Sequence, residues 1–314
     1  MCFTPLVLAL ALGQSTAAAP QPERLVAVTF DDLPAQPREA PTADAMVALS
    51  RAIVGVLRER GIPAVGFVNE DKLRGESGVD RERVRALEVW LEAGLELGNH
   101  TYSHPSLHRT ALAAYLDEIE RGEAVTRELL AARGSHPRWF RHPFLHTGRD
   151  LETKRAVEAW LTERGLRVAP VTIDNAEWIF ARAYLKAREG ADEAGARRIA
   201  DEYVVYMERK TEYWERQSVA LFGREIPQVL LVHANRLNAD HFARVADMLS
   251  RRGYRYTTLE RAVEDDAYDS TDTFTGGAGI SWLHRWALSG RGRVLPDEPR
   301  TPAFVMAAAG VEAE

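Results

Sequence analysis

The feature that most restricts this chain is a repeated alternation. From Leu25 onward, short apolar runs follow one another with helix-period segments between them. LVAVTF (25–30), AVGFV (64–68), LELGNH (95–100), WFRHPF (139–144), RVAPVTI (167–173), PQVLLVH (227–233) and YRYTTL (254–259) read as buried strands. Between the first two, Thr42 is an expected N-cap, Met46, Leu49, Ile53 and Val56 form one stripe, and Gly61 closes the helix. Asp80 opens the next helix, with Val84, Leu87 and Leu91 along it and Gly94 ending it. Helices are also predicted over 109–133, 151–164 and 239–252, with one or two long ones over 181–222. Strand–helix–strand succession implies parallel strands with right-handed crossovers, covering both faces of a sheet or closing into a barrel. No internal repeat is visible.

The polar residues in this pattern are not scattered. Asp31-Asp32, His100 with His104, Arg141 and His233 all stand where a predicted strand ends. In α/β folds that edge is where sites are built. Two adjacent carboxylates closing an apolar strand are costly unless a cation or a proton compensates them. His100 and His104 are four apart, so on a helical turn both would face one ion. With Asp32 they offer two imidazoles and one carboxylate, the open donor set of a catalytic metal centre. A histidine pair at this spacing is more often structural. Its position after a buried strand, followed by Pro105, favours the site.

Composition excludes several alternatives. With 46% hydrophobic and 27% charged residues, the chain supports a packed core. A net charge of -6 argues against a protein that coats nucleic acid or an anionic membrane. Cys2 is the single cysteine, so neither an intrachain disulfide nor a cysteine zinc site is available. No G-x-G-x-x-G follows a strand, which argues against a dinucleotide enzyme. Residues 3–13 (FTPLVLALALG) followed by QSTAAAP have the order of a secretory signal, although no Lys or Arg precedes the apolar run. The expected organisation is a signal peptide over 1–19, a catalytic domain over 20–262 and an extension over 263–314 docked through SWLHRWAL (281–288). The expected location is secreted or periplasmic, with no membrane insertion after signal removal.

TFDD, HTYSH, RHPF, DNAEW and LLVH occur in the order of the motifs of the NodB-type polysaccharide deacetylases, carbohydrate esterase family 4. The similar region runs from about Leu25 to Leu259. The resemblance implies a deformed (β/α) barrel, a divalent metal and removal of acetyl groups from an N-acetylated sugar. By position it makes Asp31 the general base and Asp32, His100 and His104 the metal ligands. Arg141 would orient the base, and His233 would be the general acid. Leu231 would line the acetyl-methyl pocket, with Pro143 and Phe144 in the substrate-facing turn. The implied metal is zinc, and two histidines with an aspartate also accept cobalt, nickel or manganese. The implied partner is an acetylated glycan.

The motifs also depart from the commoner pattern. Phe144 stands where the family often has tyrosine, so a backbone role survives and a hydroxyl contact does not. The carboxylate expected to orient the acid is Glu177, one methylene longer than the usual aspartate; Asp174 is the other candidate. Trp178 is read either as a wall of the sugar pocket or as a core residue. His142 and His146 read as loop histidines, and His108, His136, His241 and His284 as structural. The run ERKTEYWERQ, with Tyr213 and Trp214, reads as a solvated helix face, or as an element narrowing one end of a substrate groove. The rival functions are a carbohydrate-binding protein on a retired enzyme fold, an O-acetyl esterase and an amidase acting outside the sugars.

Overall fold

Residue parity along the first strand sets the architecture. In the computed structural model, which describes residue 1 and residues 23–313, β1 (Arg24–Leu33) is buried over its last eight residues. Side chains alternate across a strand. Val26, Val28 and Phe30 therefore face a large apolar layer beneath the helices. Ala27 packs with Val65, Phe67, Trp139 and Val229 in a second, smaller core, and Thr29 and Asp31 share its face of the strand. The strands that follow are β2 (Ala64–Val68), the hairpin β3 (Arg74–Gly75) and β4 (Gly78–Val79), β5 (Glu96–Asn99), β6 (Trp139–Phe140), β7 (Arg167–Val168), β8 (Gln228–His233) and β9 (Tyr254–Tyr256). Apart from the hairpin they form one parallel sheet in the order β7-β6-β5-β2-β1-β8, with β9 also beside β1.

The two ends of that sheet meet. Ala169 N–H donates to the Phe140 carbonyl at 2.8 Å, while the amides of Thr172 and Ile173 both reach the Val229 carbonyl at 3.0 Å. One segment, 167–173, thus pairs with β6 at its start and β8 at its end, closing a distorted barrel. The strand expected over 167–173 shrinks to Arg167–Val168 because Pro170 has no N–H to continue the ladder. The strand expected over 139–144 likewise stops at Phe140. Beyond it the chain turns through Pro143, and Phe144 (φ 57°) and Leu145 (φ 53°) are left-handed.

Helices cover the outside: α1 (Ala43–Glu59), α2 (Arg81–Glu92), α3 (Leu112–Arg121), α4 (Ala124–Ala131), α5 (Leu151–Glu163), α6 (Glu177–Glu189), α7 (Glu193–Phe222), α8 (Arg236–Arg251) and α9 (Leu259–Val263). Thr42 caps α1 by accepting from Ala45 N–H at 3.2 Å, and Asp80 caps α2 by accepting from Glu82 N–H at 2.9 Å. Two stripe residues shift: Leu57 and Trp90 are buried where Val56 and Leu91 are only half-buried. The helix expected over 109–133 is two helices that break at Gly122. A side chain there would lie 2.5 Å from the Thr101 carbonyl carbon, so only glycine admits this approach.

Past β9, α10 (Trp282–Trp286) and α11 (Ala303–Ala309) lie against the barrel. Trp282 N–H donates to the Val171 carbonyl at 2.7 Å, and Lys186 Nζ donates to the Ala309 carbonyl at 2.8 Å. Among the described residues no helix is long and apolar enough to cross a membrane. The expected signal peptide falls outside the described residues.

Candidate active site

The site is assembled at the mouth of the barrel. Asp31 lies opposite His233 in the β1–β8 register, so two neighbouring strands deliver two proton-handling groups to one edge. By parity Asp32 would point into the helical layer. Its left-handed backbone (φ 70°) turns it toward the mouth instead.

Arg141 lies wholly inside the barrel, where each of its groups is used. Nη1 is 3.3 Å from both Asp31 oxygens, Nη2 donates to Thr29 Oγ1 at 3.1 Å, and Nε donates to the Ala169 carbonyl at 2.9 Å. The Phe67 ring lies under the guanidinium at 4.6 Å. Burial pushes the Asp31 carboxyl above its usual range, and the charges of Arg141 and His233 oppose that shift. A carboxylate held in place and made more basic by burial is suited to accept a proton.

The histidine pair converges, though not on a helical turn. His100 follows β5, and Thr101 (φ 65°) and His104 (φ 60°) are both left-handed, so the chain folds back over five residues. Asn99 Oδ1 accepts from Thr101 N–H at 2.7 Å, and Thr101 Oγ1 accepts from His104 N–H at 3.1 Å. His100 Nδ1 donates to the Arg141 carbonyl at 2.8 Å, which leaves Nε2 as its free lone pair. His104 Nε2 is 3.7 Å from Asp32 Oδ1. One donor atom each from Asp32, His100 and His104 can be chosen so that all three lie within 4.8 Å of one another.

This donor set fits a divalent ion. Burial lowers both imidazoles, His100 well below its ordinary value, so both are neutral and able to coordinate. Burial would raise Asp32, but the positive charges of Lys72 and of protonated His233 oppose it, and the carboxyl is held far below its usual range. Lys72, which the sequence motifs do not include, donates to the Asp32 carbonyl at 3.0 Å, to its Oδ1 at 3.2 Å and to Asn69 Oδ1 at 2.9 Å. Its only sequence signal is that it follows the end of a buried strand.

Glu177, not Asp174, pairs with His233. His233 Nδ1 donates to Glu177 Oε2 at 2.7 Å. Glu177, fully buried, also accepts from Asn238 Nδ2 at 2.7 Å and from Asn235. It is the first residue of α6, and the longer side chain reaches His233 from there. Burial alone would lower His233, but its bond to Glu177 and the charges of Glu177, Asp32 and Asp31 raise it to about 9. His233 is therefore protonated at neutral pH.

These groups open into one cavity of about 1350 Å3. Leu231, Trp178 and Phe144 line it, the last two well exposed. Trp178 is accordingly a pocket residue and not a core one. Pro143 is buried within its turn and does not line the cavity. His142 is buried against Tyr115, 3.1 Å from its hydroxyl, whereas His146 lines the cavity. His284, read as structural, also reaches it, together with Asp174, Lys210, Tyr213 and Glu298. Burial raises Asp174 to about 6, against the nearby charge of Lys210.

Comparison with known proteins finds polysaccharide deacetylases. The family profile described as polysaccharide deacetylase matches residues 18–160. A peptidoglycan-N-acetylglucosamine deacetylase of Bacillus cereus is 26% identical over 153 residues, 49% of this chain and 46% of that protein. The chitin deacetylase of Colletotrichum lindemuthianum is 26% identical over 122 residues, 38% and 42% of the two chains. The chain thus matches less than half the length of these curated relatives. The solved structure of the Colletotrichum chitin deacetylase shares the fold, with a TM-score of 0.51 at 18% identity over 78% of this chain and 90% of that one. So does a mutant of a carbohydrate esterase family 4 pseudoenzyme with restored activity, with a TM-score of 0.51 at 16% identity over 77% and 68%. A fold shared with a pseudoenzyme does not by itself establish activity; the side chains must carry that argument.

Proposed function

We propose that the chain is an exported, metal-dependent hydrolase of the polysaccharide deacetylase family that removes acetyl groups from an N-acetylated glycan. One observation carries the reading. A base held by arginine (Asp31) and an acid held by a carboxylate (His233) flank the Asp32–His100–His104 donor set from adjacent strands. A binding protein needs neither.

Asp32, His100 and His104 would hold the metal. Zinc is the first candidate, and its chemistry is to polarise the acetyl carbonyl and acidify a bound water. The other steps belong to the chain. Asp31, oriented by Arg141, accepts a proton from the attacking water as the new C–O bond forms. The proton on His233 Nε2 passes to the sugar nitrogen as the C–N bond breaks, giving acetate and a free amine. Glu177 keeps His233 protonated for that step. Leu231 would line the acetyl-methyl side, and the left-handed Phe144 turn opens onto the same cavity.

Acetate release by zinc-loaded protein from a panel of N- and O-acetylated glycans tests the reading, with Asp31→Asn as the blank. Release from N-acetylated members alone is the expected result. Release only from O-acetylated members would make the protein an esterase. No release at all, with metal bound, would overturn the glycan deacetylase reading in favour of a binding protein or an amidase acting outside the sugars.

A further inference from the structure

Apart from the residues that carry the chemistry, the cavity has an asymmetric rim. Over β1, β2 and β5 the rim consists of short loops, contributing Gln36, Pro37, Asp71, Lys72 and Ser103. On the opposite side, between the loop after β6 and helices α6 and α7, the extension beyond β9 builds the rim. It is sewn down at three points. Gly279 approaches so closely that a side chain would lie 1.8 Å from the Phe144 carbonyl oxygen. Tyr213 of α7 meets His284 Nε2 at 2.9 Å and donates to the Leu295 carbonyl at 2.7 Å. Lys210 of α7, itself buried, is ion-paired with Glu298. These contacts run from the Phe144 turn to α7 without leaving the cavity edge.

The chemistry of this wall differs from that of a groove that a polymer threads. A continuing chain is gripped by aromatic faces, as Trp178 and Phe144 offer near the reacting centre. The wall is mixed: Lys210, Tyr213, His284 and Glu298 bring polar groups to it beside the apolar Ile280 and Leu295. Polar groups at a closed cavity end hydrogen-bond the hydroxyls of a terminal ring and penalise a ring that lacks them.

The geometry points to an end-stop: the extension's wall, with Glu298 latched on Lys210, makes this protein a deacetylase of short oligosaccharides or glycan chain ends. The inference rests on the deacetylase reading of the same cavity. Substrate enters over β1, β2 and β5, its last ring meets the wall, and the acetyl group presented to His233 is on or next to that ring.

The test uses full-length, zinc-loaded protein with penta-N-acetylchitopentaose and a soluble acetylated chitin polymer. Mass-spectrometric sequencing of the products locates the free amines. The expected first product carries one free amine at or next to one end, and the polymer reacts on the order of tenfold or more slowly per acetyl group. Glu298→Ala, checked for folding by circular dichroism, should raise KM for the pentamer and let internal positions react. First free amines spread over internal rings of the pentamer in the unaltered protein would overturn the end-stop while leaving deacetylation intact. End selectivity unchanged in Glu298→Ala would overturn the role of the latch. Acetate from neither substrate would overturn the deacetylase reading itself.

Discussion

At the scale of single residues, the proton-handling pairs make separable predictions. Asp31→Asn removes the base but no metal donor. It should cost about 10²–10⁴-fold in turnover while equilibrium dialysis shows zinc still bound. His104→Ala should lose both activity and metal. Metal loss in Asp31→Asn would mean that Asp31 and Asp32 have exchanged roles. The His233–Glu177 pair predicts a pH dependence. A general acid must be protonated, so activity falls on the alkaline side as His233 titrates at about 9. Glu177→Gln removes the partner that raises it, leaving burial to lower it. The alkaline limb of the pH–rate profile should then move down toward or below the free imidazole value of about 6.5. An unmoved limb would show that another group sets it. The same shift bears on stability. The folded-state value lies above the unfolded one, so the contribution is complete below about pH 6.5 and lost as pH rises through about 9.

At the scale of elements, loop 100–104 shows what sequence reading reaches and where it stops. The histidines and the strand before them were readable, because a buried strand followed by polar residues at its carboxyl end is a local pattern. The helical turn proposed to join them was not correct. What brings His104 back is a pair of left-handed residues supported from α3. Tyr102 N–H donates to the Glu118 carbonyl at 2.8 Å, and Asn99 Nδ2 donates to the Ile119 carbonyl at 2.7 Å. That support depends on residues twenty positions away. Lys72 and the Asn235–Asn238 cradle around Glu177 are not legible in the sequence for the same reason: Asp32 and Glu177 lie 40 or more positions away from them, and their residue types are ordinary. Pro170 is a local signal, and its lack of an amide limits the strand to Arg167–Val168. The α3–loop contact can be tested at Gly122, whose Cα packs on the loop backbone. Gly122→Val forces a clash at 2.5 Å and should destabilise the fold by about 1–3 kcal/mol. Zinc affinity measured by competition with a chromophoric chelator should fall with it. Unchanged zinc affinity in a folded Gly122→Val protein would show that the loop holds its shape without α3.

At the scale of the whole molecule, the question is whether the extension is a separate part or belongs to the barrel. Polar bonds between them answer it, and Arg285 concentrates them. It is 1% exposed. Its guanidinium donates to the Ile280 carbonyl at 3.0 Å within the extension, to Thr147 Oγ1 at 2.8 Å in the barrel, and to the Leu145 carbonyl of the left-handed turn. Asp272 lies 3.7 Å away and also pairs with Lys154 of α5 at 2.5 Å. A buried cation with this many acceptors cannot leave without stranding them. Barrel and extension should therefore unfold together. In urea, tryptophan fluorescence and far-ultraviolet circular dichroism should give coincident transitions, with proteolysis in the extension appearing only as the barrel melts. Arg285→Met should lower stability by about 3 kcal/mol. Because Arg285 also holds Leu145, it should reduce kcat by loosening the Phe144 turn, even where the protein remains folded. An extension that is cut at urea concentrations leaving the barrel intact would show a detachable appendage. The wall it contributes to the cavity would then be a movable flap and not a fixed end to the substrate site.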